Sequence, residues 1–191
     1  MTTVDQSEFR GSFSASGGAT GTVASRLGYG YVDVRGDLKK GDELVFAPSE
    51  AQKLRRTSVI EMTACFPDAV DFAELAPSGP FSFTLAKKPD RSCVFCLYDG
   101  SEWIELPNSS IVPAEEVNYR IRFSLNFRTS NPTVSCSVLA GSGWVVLSNE
   151  AGKSAFPVSG RISEIVFSGF GEFAEQNGDY GPDTGFGVTL R

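Results

Sequence analysis

The chain contains no histidine. That absence removes the Ser-His-Asp and Cys-His arrangements in their usual form, because no imidazole is there to take and return the proton. A zinc site would have to be built from thiolates and carboxylates alone. Cysteine is scarce as well: Cys65, Cys93, Cys96 and Cys136 are the four among 191 residues. Their uneven spacing does not read as a disulfide framework, with one bridge through Cys65 or Cys136 left open. Cys93 and Cys96 resemble half a zinc motif, yet they fall in a strand-like run, where an offset of three sends side chains to opposite faces. Small buried hydrophobes are their expected role. No apolar run approaches the ~20 residues of a spanning helix. Residues 1–10 carry no leader-like apolar segment. The chain is therefore expected to be cytoplasmic, or extracellular or at a cell surface if a leader was removed, with no membrane insertion. Lysine and arginine number 17 against 23 acidic residues, a net charge of -6. That balance argues against nucleic acid and anionic membrane as partners. The one basic cluster, Lys53-Leu54-Arg55-Arg56, reads as a solvated loop.

What is present points to strands. Fifteen Phe, 41% hydrophobic residues and 20 Gly describe a folded, turn-rich protein. Both tryptophans lie in one repeated tract. Asp99-Gly-Ser-Glu-Trp103-Ile-Glu-Leu106 recurs as Ala140-Gly-Ser-Gly-Trp144-Val-Val-Leu147, forty-one residues on. Each copy follows an apolar run, and a short Gly-containing loop between two such runs signals a hairpin. Within a strand, Trp103 shares its face with Glu105 and Trp144 shares its face with Val146. Trp144 is accordingly expected in the core and Trp103 partly exposed.

Around the repeat, the alternation is that of a layered sheet protein. Ile60, Met62, Ala64 and Phe66 fall on one face of a strand over 59–66, and Phe81, Phe83 and Leu85 on one face of the next. Cys93 to Tyr98 is apolar on both faces, which suits a covered central strand. Val117 to Phe127 alternates strictly, with Val117, Tyr119, Ile121, Phe123, Leu125 and Phe127 on one side. Asn118, Arg120, Arg122, Ser124 and Asn126 occupy the other. Eleven residues at about 3.4 Å each predict a strand of roughly 37 Å. Further strands are expected at 31–34, 43–47, 162–170 and 186–190, with one helical turn over 49–56. The Gly/Ser-rich residues 1–30 read as an N-terminal arm, or an edge strand near Phe9 to Phe13. Residues 31–191 read as one β-sandwich.

The order of Ser58 to Phe66, Tyr98 to Leu106, Asn118 to Leu125, Val134 to Leu147 and Ile162 to Gly171 resembles the concanavalin A-like, or laminin G-like, jelly roll of divergent bacterial surface proteins. The similarity covers residues 58–181. It implies an all-β fold of two packed antiparallel sheets, and glycan or protein ligands on a sheet face or rim loops. It also implies a possible structural calcium ion, for which Asp99, Asp179 and Asp183 lie in predicted loops, and no other cofactor.

Catalytic motifs fare poorly. Gly152-Lys153-Ser154 resembles the end of a phosphate-binding loop, but position 147, where its leading glycine belongs, is Leu147. Gly169-Phe170-Gly171 lacks its third glycine. Glucanases with the resembled fold carry acidic residues on alternate positions of one strand, and no such triplet occurs here. Carboxylates from separate strands can still converge. The expectation is a non-catalytic carbohydrate-binding or adhesion module at a bacterial surface. Its ligand would be gripped by Tyr98, Trp103, Arg120, Arg122 and Asn126, since guanidinium groups suit carboxylate or sulfate. The alternatives are an assembly subunit of a surface layer, filament or virion, oligomeric through the N-terminal segment, and a glycoside hydrolase or lyase. Asn108-Ser109-Ser110 also matches a glycosylation acceptor.

Overall fold

The computed structural model describes residues 11–15, 20–26, 29–35, 43–48, 57–66, 68–75, 81–108, 110–158, 165–170 and 185–190. They form two main β-sheets, packed face to face, and one separate hairpin. Sheet I has eight strands. Its path runs from β1 (Gly11–Ala15) through β4 (Glu43–Pro48), β14 (Ile165–Phe170), β15 (Gly185–Leu190), β7 (Ser82–Lys87) and β8 (Cys93–Tyr98) to β9 (Trp103–Glu105). The short β6 (Val70–Asp71) lies parallel to the far end of β7. Sheet II has five strands, ordered β12 (Gly143–Val146), β11 (Thr133–Ala140), β10 (Asn118–Asn126) and β5 (Thr57–Cys65). Its fifth strand, β13 (Phe156–Pro157), pairs with β11 as well. The hairpin joins β2 (Thr20–Arg26) to β3 (Tyr29–Arg35). The only helical element among the described residues is a 3-10 turn, Phe72–Glu74. No helix there is long and apolar enough to cross a membrane.

The chain enters sheet II at β5, leaves it for β6 to β9, returns for β10 to β13 and ends in sheet I. Long-range antiparallel pairings close each return: β5 with β10, β7 with β15, and β4 with β14. Phe81, Phe83 and Leu85 of the β7 segment and Phe95 and Leu97 of β8 point inward from sheet I. Ile121, Phe123 and Leu125 of β10 meet them from sheet II, with Phe66, Tyr119, Val134, Cys136 and Val138. Ring contacts bridge the layers: Phe81 and Phe83 lie 5.7 and 5.4 Å from Phe123, and Phe95 lies 5.1 Å from Tyr119. Aromatic edges and faces of opposite partial charge favour such near-perpendicular pairs.

Most predicted strands are present. β10 runs nine residues rather than eleven, with Val117 and Phe127 just beyond its ends. The predicted edge strand near Phe9 corresponds to β1, two residues later, and residue 30 falls inside β3. β2, in a stretch read as loose, is an addition. The predicted helical turn over 49–56 lies outside the described residues.

The tryptophan repeat is structural. One copy makes the β8–β9 hairpin of sheet I and the other the β11–β12 hairpin of sheet II. Leu106 N–H donates to the Phe95 carbonyl at 2.8 Å, and Leu147 N–H to the Cys136 carbonyl at 2.9 Å. Both leucines are buried in the shared core. Their turns differ: the Asp99 carboxylate accepts from Ser101 N–H, Ser101 Oγ–H and Glu102 N–H. The shorter second turn relies on Gly141, whose φ of 59° suits the first position of a two-residue hairpin loop.

Candidate functional site

The two sheets differ in what their outer faces meet. On sheet I, Ser82, Thr84 and Ala86 of β7 and Val94, Cys96 and Tyr98 of β8 point away from the core, yet all are buried. Phe72, Leu75 and Trp103 pack over Ala86, Val94 and Cys96. On β10 of sheet II, by contrast, Asn118 and Arg120 are exposed and Arg122, Ser124 and Asn126 are half-buried. Of the outer faces seen on these strands, that of sheet II is the open one.

The five residues expected to grip a ligand are split by this arrangement. Tyr98 is only 7% exposed and its ring lies tilted against Trp103 at 5.5 Å, on the covered side of sheet I. Arg120, Arg122 and Asn126 lie on the opposite side of the molecule, on β10. The structure therefore does not bring the five together: Tyr98 and Trp103 pack on the outer side of their own sheet.

Trp103 is half-buried, in keeping with the partial exposure expected of it, but Trp144 does not hold the core place expected for it. Cys136 and Val138 of β11 face the core, so Leu139 and its cross-strand partner Trp144 face outward. Trp144 is half-buried, not a core residue, while Val145 supplies the inward contact. The signal was in β11: Ser135 and Ser137 mark a polar face, and Leu139 continues that row. The Arg122 guanidinium carbon lies 3.9 Å from the Trp144 ring centroid, and that of Arg120 lies 5.7 Å away. Stacking of this kind suits the flat, weakly hydrated guanidinium.

Glu61 of β5 completes the group. Its Oε1 accepts from Arg122 Nε at 3.0 Å and Nη2 at 2.7 Å. Arg120 Nη2 stands 3.5 Å from Glu61 Oε2. One carboxylate thus serves two guanidiniums, leaving a single net positive charge on this face of a chain whose total is -6. Exposed ion pairs stabilise by only about 0–1 kcal/mol, so their main effect here is to hold the arginines upright. The Arg120 side chain remains 56% exposed. Val59 and Val146 are exposed on the same face.

A second polar cluster sits where β6 and β7 meet the loop before β10. Lys87 Nζ lies 2.6 Å from Glu115 Oε1 and 3.7 Å from Asp68 Oδ1. Ala69 N–H is shared between Asp68 Oδ1 and Glu115 Oε1, at 3.2 and 3.1 Å. Burial, reinforced by the hydrogen-bonded Glu115 carboxylate, pushes the Asp68 carboxyl up to about 6. Glu115 is held below the usual carboxylate range, chiefly by Lys87. Asp68 Oδ2 is buried with no hydrogen-bond partner, a setting that disfavours the charged carboxylate. Tyr119 fixes the loop: its hydroxyl accepts from Ala114 N–H at 2.7 Å and donates to the Ala114 carbonyl at 3.1 Å. Glu116 adopts φ 58°, a strained left-handed conformation, and its N–H bonds the Phe66 carbonyl at 2.8 Å. These two carboxyls converge on one backbone N–H, that of Ala69, whereas glycosidase pairs stand about 5 Å or more apart with substrate between them.

Other candidates are quieter. Cys93, Cys96 and Cys136 are free thiols, so the bridge left open at Cys136 is not formed, and the Cys65 side chain lies outside the described residues. Cys93 packs on the inter-sheet core and Cys96 on the outer cluster, on opposite faces as expected. Among the described residues no three Cys, Asp or Glu side chains gather to hold a metal. The Asp99 carboxylate is engaged by its own turn, and Asp179 and Asp183 lie outside the described residues. Gly152 and Lys153 form a turn closed on Asn149, with no helix following. A cavity of ≈ 220 Å³ beside Cys93, Phe95, Leu106, Ile111 and Val112 is largely apolar. Asn108 Oδ1 accepts from Ser110 N–H at 2.8 Å.

No protein-family model, no curated protein and no solved structure matches this chain.

Proposed function

We infer that the chain is a non-catalytic recognition or adhesion module, of the concanavalin A-like jelly-roll type, that offers the outer face of sheet II to a glycan at a bacterial surface. One observation carries the reading: the Trp144 indole, stacked under Arg122 at 3.9 Å, stands beside an exposed Arg120 on an open sheet face. An indole supplies an apolar platform for a sugar ring. Arg120 supplies paired donors for a carboxylate or sulfate on it. Ser124 and Asn126, both half-buried, add hydroxyl and amide groups beside them. The interleaving of early and late strands in sheet I supports the jelly-roll assignment.

Affinity electrophoresis through gels containing neutral or uronic-acid polysaccharides tests the reading. The chain is expected to be retarded by an acidic polysaccharide. Trp144→Ala and Arg120→Ala are each expected to weaken retention about tenfold, or ~1–2 kcal/mol. Trp103→Ala is expected to leave it intact. A wild-type chain that migrates freely through every polysaccharide rules the glycan out.

Val59 and Val146, 58% and 51% exposed, favour one rival: an assembly subunit whose sheet II face meets another copy. Exposed valines flanking Trp and Arg resemble the centre of a protein interface. Light scattering on the full chain separates the readings, because a concentration-dependent oligomer abolished by Val59→Glu favours assembly. The full chain is needed, since removing residues 1–30 deletes β1 and unpairs β3.

A further inference from the structure

We propose that Lys87 and Asp68 are joined by an autocatalytic amide bond, with Glu115 as the proton acceptor. The three side chains come from separate elements: Asp68 from the connection between β5 and β6, Lys87 from the end of β7, and Glu115 from the loop before β10. They meet in one partly enclosed cluster. Asp68 is the electrophile. Its side chain is 7% exposed and its Oδ2 is buried with no hydrogen-bond partner, an environment that favours the neutral, electrophilic acid over the carboxylate. Lys87 is the nucleophile, with Nζ 3.7 Å from Asp68 Oδ1. Glu115 Oε1, 2.6 Å from Nζ, is placed to remove its proton, the arrangement by which a neighbouring base activates an amine.

The steps balance without an oxidant or a cofactor. Glu115 takes a proton from the Lys87 ammonium. The neutral Nζ attacks Asp68 Cγ, and charge develops on Oδ1, where Ala69 N–H already donates at 3.2 Å. The Nζ–Cγ bond forms and the Cγ–Oδ2 bond breaks. Glu115 hands its proton to the departing Oδ2 hydroxyl, which leaves as water, and accepts a second from nitrogen. That proton then passes to solvent. The Glu115 contact also favours the ammonium form of Lys87, so the first transfer is uphill and the reaction is a slow, single-turnover maturation. The 3.7 Å contact is the arrangement before the bond closes. Once formed, the amide ties the β5–β6 connection covalently to β7.

Intact-mass measurement of the purified full chain tests this directly. The expected mass is one water below that of the sequence, and a protease digest should yield a branched peptide joining residues 68 and 87. Lys87→Arg and the near-isosteric Glu115→Gln should both run at full mass, with folding verified by thermal melting. A wild-type chain that keeps its full mass after long incubation at neutral pH overturns the proposal. So does a lost water that maps to Asp99-Gly100, a dipeptide able to cyclise to a succinimide. A folded Glu115→Gln chain that still carries the branched peptide removes Glu115 from the reaction and overturns the mechanism as stated.

Discussion

Cys136 is enclosed between the sheets, and Cys96 is enclosed beneath Trp103 and its neighbours on the outer side of sheet I. Burial pushes both thiols far up, aided at Cys96 by the nearby Glu105 carboxylate. The consequence for stability has a definite sign. Up to about pH 7.5, below the unfolded thiol's pKa of about 8.5, the thiols are protonated whether folded or unfolded, and their contribution is fully present. Above that, the unfolded thiols ionise while the folded ones do not, so stability falls as pH rises. The slope is about 1.4 kcal/mol per pH unit for each thiol. Urea unfolding along the alkaline limb should therefore be less steeply pH-dependent in Cys136→Ala than in the wild type, by one thiol's share. Parallel slopes would show that Cys136 ionises in place. The burial of these thiols was legible in the sequence, because they sit in apolar runs. The position of Trp144 was not: reading β12 alone leaves its two faces equally apolar, and only the register with β11 decides between them.

At the scale of the element, the repeated hairpin makes a quantitative comparison possible. Leu106 and Leu147 hold equivalent places in the two copies, each closing its hairpin with one backbone bond and pointing into the common core. Truncating either removes the same methyl groups from the same interior. Leu106→Ala and Leu147→Ala are both expected to cost about 2–5 kcal/mol, counting the lost transfer energy and the cavity. Trp144→Ala, on the open face, should cost less than its neighbour Leu147→Ala. Chemical denaturation of the three variants checks this ordering, and a Trp144 loss exceeding the Leu147 loss would place the indole in the core after all. Elements with a strict apolar row, such as β5, β7 and β10, were readable from alternation alone, and β8 from its unbroken apolar run. β2 was not, because Thr20 to Arg26 presents small and polar residues with no apolar row, and it is its register with β3 that makes it a strand. The pairing of β5 with β10 was equally hidden, and with it the convergence of Glu61 on Arg120 and Arg122. Alternation assigns faces within a strand but carries no record of which strand lies alongside.

The whole molecule is held together by a seam that belongs to neither sheet. Phe123 of sheet II contacts Phe81 and Phe83 of sheet I, and Phe95 of sheet I contacts Phe66 and Tyr119 of sheet II. Neither sheet can keep these rings from water by itself, so the two should lose structure together. Phe123→Ala tests this because its side chain is fully buried and touches rings on the far layer. The substitution is expected to cost about 3–5 kcal/mol. Hydrogen exchange would then speed up by a common factor at β7 and β8 in sheet I and at β10 and β11 in sheet II, since opening one layer exposes the interior of the other. Were β7 and β8 to keep their wild-type protection while β10 exchanged freely, the layers would be independent units. The open face of sheet II would then owe nothing to the core beneath it. Common loss would mean that Trp144 and its arginines stand on a support both sheets maintain, and that substitutions deep in sheet I can loosen the recognition face without touching it.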